Sequence, residues 1–143
     1  MRGLIVAALI AVALPSVQAH AQTAPVATTD PESIAISILE PLKRGNIADA
    51  IKAVENGSPP AIKGRSERLA GVRGQMEAMI TSNGPVIRWE RVKTEPLGTM
   101  VRRDTYIVQY HDTVLRWRFT YMKVEGGWMI GGFTFDDQAD TWF

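Results

Sequence analysis

The side chains that could do chemistry in this sequence are few, and most lie in its last third. Asp104 stands in the run Arg102-Arg103-Asp104-Thr105-Tyr106. A carboxylate set among aromatic rings and away from water acquires a raised pKa, which is how a general base is made. Tyr106 or Tyr121 could then donate a hydrogen bond to a reacting oxygen. Arg102, two residues away on an extended chain, would share a face with Asp104 and could neutralise it. His111-Asp112 also pairs an acid with a base. Neighbours on a hairpin tip point apart into water, however, so the pair reads as a turn. Arg102, Arg103, Arg116 and Arg118 could hold an anion, but Asp104, Asp112, Asp136 and Asp137 lie nearby and read as their partners. Asp136, Asp137 and Asp140 lack the loop glycine and the closing glutamate of a calcium loop. With no cysteine in the chain, disulfides, thiolate metal sites and thiol catalysis are excluded.

These groups need a scaffold, and 143 residues with 45% hydrophobic and 22% charged content suffice for one cored domain. Residues 1–21 read as a signal peptide. A basic start at Arg2 is followed by a twelve-residue apolar run, residues 3–14, and by the small residues of Ala19-His20-Ala21. A bilayer-spanning helix needs roughly 20 apolar residues, so the run is too short to serve as one. Cleavage after Ala21, or after Ala19 at an alternative site, removes Arg2 and leaves a mature chain with no net formal charge. Such a balance points to neither nucleic acid nor a membrane surface as partner. Residues 22–30 are small and polar enough to form a flexible leader.

The domain itself is expected over residues 31–143. Asp30-Pro31 starts a helix closed by Gly45, with Ile34, Ile38, Leu39 and Leu42 on one face. Asn46 caps a second helix over 47–55. A third spans 66–82, with a stripe of Leu69, Val72, Met76, Met79 and Ile80, and its Gly71 and Gly74 could permit close packing on a sheet. From Val86 the period changes to two, predicting strands at 86–93, 100–110, 113–124 and 128–135 joined as antiparallel hairpins. A tip at His111-Asp112 pairs Val108 with Leu115, Tyr106 with Trp117 and Asp104 with Phe119. A three-residue loop at Glu125-Gly126-Gly127 pairs Val124 with Trp128, Phe119 with Phe133, Trp117 with Phe135 and Arg116 with Asp136. Leu115, Trp117, Phe119 and Tyr121 then share one side, which should meet the helices. The other side carries Met122, Val124, Trp128 and Ile130, too apolar a group to be left in water, so either helices or a partner subunit covers it or the pairing slips by one. The terminal Trp142-Phe143 reads as a tail docked on the domain or on a neighbour.

Arg116-Trp117-Arg118-Phe119-Thr120-Tyr121, Gly127-Trp128 and Phe133-Thr134-Phe135-Asp136-Asp137 give the chain a family likeness. Over residues 33–137 it resembles small exported bacterial members of the NTF2-like (cystatin-like, α+β cone) superfamily. The resemblance implies an α+β fold with N-terminal helices packed on a curved four-stranded antiparallel sheet. The superfamily includes isomerases, dehydratases and transport factors, and its enzymes hold Asp, His or Tyr in a cavity between helices and sheet. No motif matches residue by residue, so no catalytic residue is carried over.

The sequence therefore predicts a periplasmic or secreted binding or interaction domain that is not an enzyme, with no cofactor and no metal. Trp89, Asp104, Tyr106, Trp117 and Tyr121 are candidates to line a cavity for a small apolar ligand, or else to fill the core. Met122, Val124, Trp128 and Ile130 are candidates for a homodimer interface on the open sheet face. No nucleic acid is expected as partner, and no membrane once the signal is cleaved. The rival reading is an isomerase- or dehydratase-type enzyme with Asp104 as base. A third is a structural accessory subunit with a filled interior.

Overall fold

The computed structural model describes residues 30–60 and 66–143. The expected signal, residues 1–21, and all of the expected leader except Asp30 lie outside the described residues. Three helices, α1 (Pro31–Lys43), α2 (Ile47–Gly57) and α3 (Ser66–Asn83), precede four strands. The strands β1 (Val86–Leu97), β2 (Val101–Tyr110), β3 (Val114–Val124) and β4 (Gly127–Asp136) form one antiparallel sheet in chain order. A single 3-10 turn, Ala139–Thr141, follows β4. The protein is an α+β fold with helices packed on one face of a four-stranded sheet. Among the described residues no helix is long and apolar enough to cross a membrane.

Local chemistry sets the helix boundaries. The Asp30 carboxylate accepts from the Glu32 N–H at 3.0 Å, and Pro31 needs no partner at the first helical position. The Asn46 side chain accepts from the Asp49 N–H at 3.0 Å and donates to the Asp49 carboxylate at 2.7 Å, closing α2 reciprocally. The buried sides of these helices are Ile34, Ala35, Ile38, Leu39 and Leu42 on α1, and Ala50, Ile51 and Val54 on α2. Met76 and Met79 of α3 join them. Gly71 and Gly74 lie on the exposed side of α3 with open space where a Cβ would stand. They serve no close packing on the sheet, contrary to expectation.

The sheet supplies the other half of the core. Tyr106, Val108, Tyr110, Leu115, Trp117, Phe119, Tyr121 and Ile130 are buried against the helices. Trp117 lies 5.7 Å from Phe119, 5.6 Å from Phe133 and 5.2 Å from Phe135 between ring centroids, distances at which aromatic pairs attract. The β2–β3 pairing follows the predicted register, including Asp104 opposite Phe119.

β1 and β4 depart from it. β1 runs to Leu97 and takes Pro96 into the ladder opposite Arg102. An edge strand has a neighbour on one side only and so tolerates a residue without an N–H. Ile87 and Val92 are extra residues in β1, two bulges that bend the strand. In β4 the loop is Glu125-Gly126, Val124 pairs with Gly127, and Gly131 is the extra residue between the Tyr121–Ile130 and Thr120–Gly132 pairs. The predicted three-residue loop is thus replaced by a two-residue loop and a bulge. A Cβ on Gly131 would stand 3.1 Å from the Met122 side chain, so glycine suits the close approach at the bulge. Beyond the bulge the predicted pairs Phe119–Phe133, Trp117–Phe135 and Arg116–Asp136 stand.

Candidate functional site

The helix-facing candidates form a sealed polar island at one end of the core. Asp104 is 0% exposed, and both its oxygens accept from Arg102, Oδ1 from Nε at 2.8 Å and Oδ2 from Nη2 at 2.7 Å. Arg91 stands 3.8 Å from the same carboxylate and donates to Glu32 of α1 at 2.9 Å, linking helix to sheet. Tyr106 packs edge-on against Phe119, which stacks on Tyr121. The Tyr106 and Tyr121 hydroxyls and the Trp117 indole N–H are buried without a well-aligned hydrogen-bond partner among the described residues. Burial pushes the Tyr106 pKa up to about 12, with the negative charges of Asp104 and Glu32 adding to it. Burial likewise raises Tyr121, helped by Tyr106 and Asp104, and raises Tyr110, whose hydroxyl donates to Met79 Sδ at 3.2 Å.

The structure thus brings Asp104, Tyr106 and Tyr121 together, with Trp117 farther along the aromatic row. Trp89 is only half-buried, lying beneath Lys43 with Nζ 5.7 Å from the ring centroid. A carboxylate whose two oxygens are each engaged by a guanidinium and which is shut from water lies out of reach of a substrate proton.

The candidate interface is split by the β4 bulge. Met122 and Val124 lie on the open face, with Met129 opposite Met122. Ile130 pairs with Tyr121 and is buried against the helices, and Trp128, opposite Lys123, packs on the same core. The apolar group expected on the open face is therefore shared between two faces. The residues exposed at the hairpin-tip end are instead Leu97 (75%), Met100 (66%) and Val124 (40%).

On the open face, strand pairing lines up three rows of side chains. One holds Glu90, Ile107, Arg116 and Asp136. The next holds Lys93, Thr105, Arg118 and Thr134, and the third Glu95, Arg103, Thr120 and Gly132. Across all three rows, from Ile107 and Arg116 to Glu95 and Arg103, lies a cavity of about 630 Å³, bordered by the chain end at Trp142 and Phe143. Trp142 is fastened there: its indole N–H donates to Asp136 Oδ1 at 2.8 Å, and the Arg116 guanidinium lies 5.6 Å from its ring centroid. The expected tail docking is thus made by Trp142, while Phe143 stays exposed. Arg116 donates to Asp136 Oδ2 at 2.9 and 3.1 Å. Partial burial opposes ionisation of Asp136, yet the hydrogen bonds from Trp142 and Arg116 hold its pKa below the ordinary carboxylate value.

Of the four acids expected to cancel the arginines, Asp104 reaches Arg102 and Asp136 reaches Arg116, with a 3.6 Å approach to Arg118, while Asp112 and Asp137 reach no arginine among the described residues. Asp104 is on the opposite face with Arg102. Asp112 faces His111 Nδ1 at 2.6 Å on an exposed loop, so those two neighbours meet rather than point apart. Asp137 makes no ion pair among the described residues. Among the described residues only Asp136, and Glu95 through Lys93 at 2.9 Å, answer the open-face cations.

A second accessible space, about 780 Å³, runs between α3 and the edge of β4 over Met79, Leu115, Phe133 and Phe135. Among the described residues no group of three His, Asp or Glu converges to hold a metal ion. No protein-family model and no curated protein matches this chain.

The contributions of Thr105, Lys93 and Trp142 to the open-face site are not apparent from motif or composition. For Thr105 the signal is strand parity, whereas the bulge at Val92 turns Lys93 to this face and the turn after β4 brings Trp142. The arginines at 116 and 118 alternate with Trp117 and Phe119, which sends them to the side away from the core.

Proposed function

We propose that this chain is a non-catalytic binding module whose working surface is the open face of the sheet, with the helix side as scaffold. The observation that carries this proposal is the engagement of Asp104. Its two oxygens are taken by Arg102 at 2.7 and 2.8 Å with no exposure to water, whereas the open face offers accessible cations around a cavity of about 630 Å³. That volume lies in the range of roughly 300–1,000 Å³ usual for small-molecule sites. Export to the periplasm or beyond, through the signal at residues 1–21, belongs to the same proposal, as does kinship with the NTF2-like superfamily. A small-fragment screen followed by amide chemical shifts in the full chain tests it. Shifts are expected to cluster at Arg103, Thr105, Ile107 and Arg118. A cluster at Asp104, Tyr106 and Tyr121 would instead restore the enzyme reading.

Self-association is assigned here to the hairpin-tip end, because Leu97, Met100 and Val124 leave apolar surface in water there. Sedimentation of the wild type and of Leu97→Lys checks it. Dimer dissociation in the variant is expected, and a wild type that is monomeric at all concentrations would contradict it.

A further inference from the structure

The cations of the open face are not equally occupied. Arg116 is held by Asp136 and Lys93 by Glu95, both at 2.9 Å. Arg103 has no ion-pair partner among the described residues, and Arg118 has only a 3.6 Å approach to Asp136. The two belong to adjacent rows. Arg118 stands opposite Thr105, and Arg103 is two residues from Thr105 on the same face. Such diagonal neighbours are about 7–8 Å apart at the backbone, a separation from which two long guanidinium side chains can converge on one anion. Their field already acts on a resident carboxylate. Hydrogen bonding from Lys93 chiefly, then the positive charges of Lys93, Arg103 and Arg118, holds the Glu95 pKa below its ordinary value.

The rest of the cavity is not built for a bare ion. Ile107 lies in its floor, and Trp142 forms one wall. The indole is fixed at both its N–H and its ring, so little side-chain freedom remains to be lost when a ligand packs on it.

We propose that this cavity binds a small organic anion with a flat apolar body, its acid group held between Arg103 and Arg118 and its body against Trp142 and Ile107. The inference rests on the open face being the working surface and adds the class of ligand.

Titration of the full chain with 1-naphthoate, its neutral counterpart 1-naphthamide, and inorganic phosphate, followed by amide shifts, tests both levels. Naphthoate is expected to shift Arg103, Thr105 and Arg118 and to bind on the order of tenfold more tightly than naphthamide. Arg103→Gln and Arg118→Gln should each weaken naphthoate by several-fold, or about 1 kcal/mol, while Lys52→Gln on the exposed side of α2 leaves it unchanged. Trp142→Ala should weaken naphthoate more than phosphate. Equal affinity for the acid and the amide, both mapping to the open face, overturns the anion inference and leaves the face assignment standing. Phosphate binding as tightly as naphthoate overturns the apolar-body half. Shifts confined to Tyr106, Phe119 and Tyr121 overturn both levels.

Discussion

The two faces of this sheet each hold an arginine–aspartate pair, and the pairs do different work. On the helix side, Arg102 clamps Asp104 inside an aromatic core, where the carboxylate sees no water. On the open side, Arg116 and Trp142 share Asp136, and all three keep contact with solvent. Removing Arg102 from the first pair strands the Asp104 charge in a dry interior. Removing one partner of the second lets water take its place. Identical chemistry thus becomes scaffold on one face and adjustable surface on the other, and strand parity decides which.

The largest expected contrast is between the two tryptophans. Trp117→Ala empties the centre of the aromatic row and should cost about 3–5 kcal/mol in chemical denaturation. Trp142→Ala, at the rim, should cost under about 1 kcal/mol. Similar losses at both would mean that the tail belongs to the core.

The carboxylates come next. Arg102→Met leaves Asp104, which is 0% exposed, without its guanidinium partner and should cost about 3 kcal/mol. Arg102→Met combined with Asp104→Leu should recover most of that loss. Asp136→Asn should cost about 1 kcal/mol at neutral pH. The Asp136 pKa is lower in the folded chain, so its contribution is present above the unfolded value and lost as pH falls through the folded one. The variant should therefore lose less stability than the wild type on acidification below about pH 4.

All three tyrosines of the chain, Tyr106, Tyr110 and Tyr121, are buried on the helix side. Each has a raised pKa, so stability is complete below the unfolded value near 10 and falls as pH rises above it, by up to about 1.4 kcal/mol per pH unit for each tyrosine. Absorbance at ~295 nm should show little tyrosinate in the folded chain at about pH 11, where unfolded tyrosine is mostly ionised. Ordinary ionisation in the folded state would mean that water reaches the interior.

The smallest effect sharpens the same point. Tyr121→Phe deletes a hydroxyl with no partner among the described residues and should stabilise by up to about 1 kcal/mol. A loss of similar size would mean that the hydroxyl is hydrogen-bonded within the interior.

Much of this architecture was legible in the sequence. Asp30-Pro31 and Asn46 mark helix starts, and the rings at 117, 119 and 121 fix which face of β3 is core. The β4 register was not legible from a constant period of two. Its apolar residues are even-numbered at Trp128 and Ile130 but odd-numbered at Phe133 and Phe135. One extra residue at Gly131 reconciles them, and that change of phase across Gly131-Gly132 was the readable sign of a bulge. The open-face site was hidden for a related reason. Acids near the arginines in sequence look like their partners, yet Asp104 and Arg103, adjacent in the chain, point to opposite sides of the sheet. Trp142 reaches its place through the short turn after β4, which no strand pattern foretells.

Intermolecular NOEs from the aromatic protons of bound 1-naphthoate would separate the faces most directly. Contacts to the Thr105 methyl, the Ile107 side chain and the Trp142 ring are predicted. Contacts to Phe119 and Tyr121 on the helix side, or to Met79 and Phe135 in the α3–β4 groove, would contradict the assignment of the open face as the working surface.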